Sequence, residues 1–260
     1  MQVYTSIAGA YPRIGENSLG HELRHARHQY DKGLIGIEGV QKLEDALVVE
    51  IIKEQERAGM DLVTDGLVRW YCPITHIAAR MLGVEAGELH HYFHTNFHVR
   101  KATVRDLPQW KESLISSEVE FTKKNSKKGI LAILPNPELL LRYTDNQSPF
   151  SLKAVEEAYL KALYKEAESI NVPIYWEGGS ARQSLGGGKK NHFQVIEAVD
   201  AFSAKEETPK EVAKKIKNRL NWRDPKPILL KPNWWLDILP RRYAYRKMEI
   251  LSEVKELLLK

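Results

Sequence analysis

The sequence predicts an α/β protein: a compact (β/α)8 barrel of the TIM type, with room for one short or irregular strand, spanning residues 1–260 as a single domain. Three observations predict it. Apolar runs of strand length alternate with longer segments whose apolar residues recur at helical spacing. No Ser/Pro-rich linker and no internal repeat interrupts the series. A chain of 260 residues has the length of one such barrel. Seven strands can be picked out, and the missing one is expected between Glu177 and Phe193.

Val3 to Ala10 is an apolar run that reads as a buried strand, ending in the turn Tyr11-Pro12-Arg13-Ile14-Gly15. Ser18 opens a helix carrying Glu22, Arg24, Arg27 and three histidines. Ile37 to Ala58 is the clearest helix, with Val40, Leu43, Leu47 and Ile51 at helical spacing and Gly59 at its stop. Asp61 to Thr64 is a short strand turned by Asp65-Gly66. Pro73 to Leu82 reads as a helix, and the aromatic, β-branched stretch His90 to Val104 as an irregular strand. Ser113 to Lys124 is a helix, Ile130 to Leu134 a buried strand, Leu152 to Ile170 a long helix and Val172 to Trp176 the next strand. A polar loop at Gly186-Gly187-Gly188 leads to a strand from Phe193 to Ala201. Thr208-Pro209-Lys210-Glu211 has the pattern of a capping box with Pro at the first helical position, so a helix should run to about Leu220. Ile228 to Leu230 is the last strand. Arg241 to Leu259 closes the chain as a helix, with Met248, Leu251 and Val254 on one face.

Composition narrows the function classes. Charged residues are 28% and hydrophobic ones 43%, an ordinary globular balance, with no apolar run long enough to span a membrane and no signal peptide. A single cysteine, Cys72, rules out an internal disulfide and suits a cytoplasmic location. The net charge of +5 comes from 39 basic residues interleaved with 34 acidic ones, without a single-sign block, so nucleic acid and membrane are not expected as partners. A small anionic ligand accounts for local basic residues equally well.

In a β/α barrel the chemistry sits at the C-terminal ends of the strands. Arg13 and Arg24 have the planar fork that clamps a carboxylate or phosphate, or they form structural ion pairs with Glu16 or Glu22. Asp65 is either a ligand-orienting carboxylate or the cap of its turn. Glu177 stands beside two glycines that permit close approach of a ligand, against the alternative of a salt bridge. Trp234 and Trp235 can stack on a flat heterocycle or cap the core. His90, His91, His94 and His98 lie close together, and His90, His94 and His98 form an alternative metal set at a spacing of four. On a strand, His94 and His98 would share a face that His91 does not, and no HExxH or paired-cysteine pattern supports a metal. Cys72 has no adjacent basic pattern and reads as inert.

At these residues the chain resembles the cobalamin-independent methionine synthase family. The segment AYPRIGENSLGHELRHARHQYDKG is similar to that family's opening motif of proline-arginine-isoleucine-glycine followed by arginine-glutamate-leucine-lysine. YFHTNFH, Tyr92 to His98, is similar to a second motif, and VPIYWEGGSA, VIEAVDAFSAKEETPKEV and KPNWWLDILPRRYAYRKMEIL are weaker echoes. The fused enzyme of the family is similar to two barrels, and the likeness is closest to the N-terminal one. The resemblance implies binding of a 5-methyltetrahydrofolate-type methyl donor. Its acidic polyglutamate tail would meet Arg13 and Arg24, while Asp65, Asn96, His98, Glu177, Trp234 and Trp235 line the cleft. It implies a methyltransferase role toward homocysteine, with the folate as substrate and no resident cofactor.

The departures shape that expectation. No His-x-Cys pair occurs, and where the family's zinc-bearing tail reads proline-aspartate-cysteine-glycine-leucine this chain reads Pro232-Asn233-Trp234-Trp235-Leu236. Gly66-Leu67 stands where the catalytic barrel has glycine-glutamate. A zinc of the chain's own is therefore not expected, and a separately encoded zinc-bearing methionine synthase barrel is the expected partner. The alternatives are a non-catalytic scaffold or regulatory paralogue, and a metal-dependent enzyme of other specificity built on the His90–His98 cluster.

Overall fold

The structure, a computed structural model, describes residues 2–91, 98–178, 193–220 and 226–260. Along the chain they form β1 (Val3–Thr5), α1 (Leu19–Asp31), α2 (Ile37–Arg57), β2 (Leu62–Val63), α3 (Thr75–Ala78), β3 (Leu82–His91) and β4 (His98–Gln109). There follow α4 (Ser116–Asn125), β5 (Gly129–Ile130), β6 (Ala132–Pro135), α5 (Pro137–Arg142), β7 (Thr144–Asn146), α6 (Leu152–Ser169) and β8 (Ile174–Glu177). The chain ends with β9 (Gln194–Val199), α7 (Pro209–Arg219), β10 (Ile228–Pro232), a 3-10 turn at Leu236–Ile238, and α8 (Arg241–Leu259).

The α/β class is as expected, but the described residues do not form the closed eight-stranded barrel. Among the described residues the strands form four sheets: β1-β10-β9, β2-β5 and β6-β8, all parallel, and β3-β4-β7, in which β3 and β4 are antiparallel. The chain groups into two compact units, Met1–Arg69 with Glu120–Leu131 and His192–Lys260, and Trp70–Val119 with Ala132–Asn191.

In the first unit the apolar faces of α2 (Val40, Leu47, Ile51) and α8 (Met248, Leu251, Val254) are fully buried, as their spacing predicts, and β10 is buried along its length. The expected strand from Val3 to Ala10 stops at Thr5, and by Ala8 the backbone has turned to φ 44°, outside the β region. Side chains join β1 to β2 where a ladder would be short. The Asp61 carboxylate accepts from the Thr5 amide and hydroxyl, both at 2.9 Å, and pairs with Lys255. The capping box at Thr208 is not formed by its side chain: Pro209 starts α7, and the Glu211 amide donates instead to the Thr208 carbonyl.

In the second unit the expected strand His90–Val104 is two strands. β3 and β4 form a hairpin, with His91 opposite His98 and residues 92–97 between them. β3 has no apolar run to announce it: Gly83 and Gly87 interrupt it, and most of its side chains are exposed. Gly83 is required there, since its φ of +83° is left-handed and a Cβ would stand 2.8 Å from the Asp106 carbonyl oxygen. The expected helix Pro73–Leu82 shrinks to α3, and α5 and β7 are additional short elements between the predicted ones.

A buried polar cluster holds α3 to α4. Glu118 accepts from the Trp70 indole at 3.1 Å and Arg80 at 3.0 Å and meets His76 Nε2 at 2.9 Å, while the His76 ring stacks on Trp70 at 4.8 Å. Burial alone would raise the Glu118 pKa, but His76, Arg80 and the Trp70 donor outweigh it and hold the carboxyl below its ordinary value. A carboxyl with a depressed folded pKa contributes stability above its unfolded value, about 4.5, and loses it as the pH falls through the folded value. Glu118→Gln should therefore cost about 1–3 kcal/mol at pH 7, with the deficit shrinking below pH ~4. Urea unfolding at the two pH values checks this, and a pH-independent deficit would contradict it.

Candidate functional site

The loop after β1 and the turn after β2 are built as one piece in the first unit. The Tyr11 amide donates to the Gly66 carbonyl at 3.1 Å. Arg13 donates from its guanidinium to the Leu67 and Val68 carbonyls, at 2.9 and 3.2 Å. Arg27 of α1 reaches the same Val68 carbonyl at 2.6 Å and pairs with Glu44 at 2.8 Å. The turn is itself strained, since Leu67 sits at φ 50°, a region a branched side chain seldom occupies. Asp65 Oδ1 accepts from the Leu67 amide at 3.0 Å and so holds that conformation, while Gln55 braces Thr64 through both its amide atoms. Asp65 is buried.

The result is a small, mixed-charge centre. Burial lowers the Arg13 pKa first and Arg27 adds to it, while Asp237, Glu44 and Asp65 pull it back up. Asp237, on the 3-10 turn after β10, is raised by burial and lowered in part by Arg13. Arg13 is thus seated among backbone carbonyls and carboxylates. Arg24 lies on an exposed part of α1, next to exposed His21, His25 and His28.

At the end of β10 the two predicted tryptophans divide. Trp235 is buried, and its ring packs so closely on Gly9 that a Cβ there would stand 2.3 Å from Cδ1. Trp234 is half-buried, 5.9 Å from the exposed ring of Phe202. Beside them the Asp200 carboxylate accepts from Asn233 at 2.9 Å and the Phe202 amide at 3.0 Å, and these two bonds hold its pKa down.

The other predicted residues belong to the second unit. Glu177 ends β8, buried, and its carbonyl accepts from the Asn136 amide. Of the two glycines after it, Gly178 has φ +79° and packs on Leu139, where a Cβ would come within 2.6 Å; Gly179 lies outside the described residues. His98 and His91 face each other across the hairpin with ring centroids 4.4 Å apart, while His90 contacts Tyr143. Asn96 and His94 lie outside the described residues. The pairing thus sets His91, not His90, opposite His98, and no group of three His, Cys, Asp or Glu able to hold a metal occurs among the described residues. Cys72 is buried and its sulfur accepts from the Arg100 amide, 3.2 Å, and the Thr75 amide, 3.4 Å.

In the sequence Arg27 is one of several charges on the first helix, and Glu44 and Asp237 carry no signal at all, because single charges in amphipathic segments do not announce their partners. Asp200 follows from its place at the end of the Phe193–Ala201 segment, whereas Phe202 carries no signal in the sequence. The first-unit arrangement presents carboxylates, guanidinium groups and aromatic rings, with no thiol.

No profile of a known protein family matches the sequence. Among curated proteins, methionine synthase from Sulfurisphaera tokodaii is 22% identical over 307 aligned positions, covering 94% of this chain and 89% of the relative. Methionine synthase from Thermococcus kodakarensis is 20% identical, with 94% and 90% covered. The first alignment is longer than the 260-residue chain, so the relative carries insertions that this chain lacks. Among solved structures, a B12-independent methionine synthase from Shewanella sp. W3-18-1, in complex with selenomethionine, superposes with a TM-score of 0.76 at 16% identity, over 100% of this chain and 98% of that one. A putative vitamin-B12 independent methionine synthase from Listeria monocytogenes gives 0.65 at 12% identity, over 99% of each chain. No helix among the described residues is long and apolar enough to cross a membrane.

Proposed function

The chain belongs to the cobalamin-independent methionine synthase family, and from that premise we propose that it binds a methylated pterin donor with an acidic polyglutamate tail and contributes to methyl transfer to homocysteine. As the finer architecture we propose the family's (β/α)8 barrel, a reading supported by the two superpositions. The observation that carries the functional proposal is the joint between the loop after β1 and the turn after β2. Arg13 ties the loop after β1 to the turn after β2, and Arg24 and its neighbouring histidines on α1 face solvent. A flexible polyanion needs accessible cations on a fixed base. Arg24 supplies the accessible charge. Arg13 and Asp65 supply the base, and Trp234, beside Phe202, supplies an aromatic surface for a flat ring.

The residues present do not fit the family's zinc. The one thiol is buried against backbone amides, and the sequence holds no His-x-Cys pair. Activation of homocysteine is accordingly assigned to a separately encoded zinc-bearing barrel, and Asn96, His98 and Glu177 remain proposed cleft residues. The same observation favours a second reading, a non-catalytic paralogue that binds the partner but no pterin.

Calorimetric titration separates the two readings. The chain should bind a methylated triglutamyl pterin more tightly than the monoglutamyl form, and Arg24→Ala should weaken the triglutamyl form about threefold while leaving the monoglutamyl form unchanged. Equal affinities for the two forms in the unmodified chain would overturn the tail assignment. Capture of a zinc-bearing barrel without any pterin heat would establish the second reading.

A further inference from the structure

We propose that a groove in the second unit, between the end of β4 and α6, binds a small organic anion with a flat apolar body, at a site independent of the one above. The groove encloses about 550 Å³, a volume typical of small-molecule sites. Its origin is legible in α6: Ala154, Ala158 and Ala162 recur every fourth residue, so one face of the helix carries no bulk opposite the β4 end.

Two aromatic residues line this trough, Trp110 from the strand side and Tyr164 from the helix. Trp110 is held in place. Its indole N–H donates to Glu166 at 2.7 Å, and that fully buried carboxylate is itself fixed by the Ser113 hydroxyl and the Leu114 and Ile115 amides. The Tyr164 hydroxyl is screened from solvent and has no hydrogen-bond partner among the described residues. Burial pushes the phenol pKa up, so it stays protonated and able to donate.

Charge selects the ligand. Lys161 and Lys165, both exposed residues, stand at the groove against the single carboxylate of Glu157. Aromatic side chains that can stack with a flat ring and surplus positive charge together fit an aromatic carboxylate better than an amine or a neutral hydrocarbon.

The probe is 3-phenylpropionate, with 3-phenylpropanol as its uncharged counterpart, titrated into the full chain and followed by ligand-observed NMR. The acid should saturate one site and bind at least about threefold more tightly than the alcohol. The double variant Lys161→Gln, Lys165→Gln should erase that preference, and Ala158→Phe should abolish binding of both compounds by filling the trough. Absence of saturable binding by the acid would overturn the proposal, as would unchanged binding in folded Ala158→Phe. Should Ala158→Phe fail to fold, the lysine variant decides: a preference for the acid that survives it would overturn the site.

Discussion

Replacing Glu166 by Ala is expected to destabilise the protein by about 3–5 kcal/mol, since it leaves several buried neutral donors without an acceptor. Glu166 lies wholly inside the second unit, on the α6 face that meets the segment leading into α4. Its two oxygens accept from the Trp110 indole, the Ser113 hydroxyl and the Leu114 and Ile115 amides, at 2.7 to 2.9 Å. The backbone amides cannot relocate. Without the carboxylate they are buried donors with no acceptor, and each then costs about 1–3 kcal/mol. Gln restores one acceptor but brings an N–H₂ against donors, so Glu166→Gln should recover only a minor part of the loss. Urea unfolding of the two variants measures both numbers, and a deficit under about 1 kcal/mol for Ala would show that the network is not holding this segment.

Substituting Gly9 should be the second costly change, and its effect should reach the aromatic surface. The position allows no Cβ: the nearest atoms are Cδ1 and Nε1 of Trp235, at 2.3 and 2.8 Å, and that ring is buried rather than free to swing. Gly9→Ala should therefore cost about 1–3 kcal/mol through overpacking. The displaced Trp235 ring lies 6.4 Å from Trp234, so the near-UV circular dichroism of the tryptophans should change with it. Thermal unfolding and near-UV spectra together check this. A stable variant with an unaltered spectrum would mean that Gly9 and Trp235 are not packed in this way.

Much of the fold was legible because long amphipathic helices declare themselves. α2, α6 and α8 stand within a residue or two of the predicted bounds, since 3.6-residue periodicity over several turns leaves few alternatives. The parallel strands were legible in existence but not in length, because a buried apolar run does not state where the backbone leaves the β region. The positive-φ residues Ala8 and Leu67 stand beside Gly9 and Gly66, glycines that mark a turn but not that the strands end earlier, at Thr5 and Val63. The hairpin of β3 and β4 was hidden, for its first strand is polar, glycine-broken and mostly exposed. The candidate site follows the same division. Arg13 and Asp65 were legible from their place after strands, whereas Arg27, Glu44 and Asp237 enter only through tertiary contact. The two tryptophans read alike in sequence, and only the packing of Trp235 on Gly9 tells the buried ring from the half-buried one.

The central claim is that this chain holds a polyanionic pterin by itself. The measurement that tests it most directly is the calorimetric titration of the unmodified chain, without partner or metal, with the methylated triglutamyl and monoglutamyl pterins. The account predicts saturable binding at one molecule per chain, with the triglutamyl form bound more tightly and its advantage falling as salt is raised. No saturable heat with either compound would contradict it.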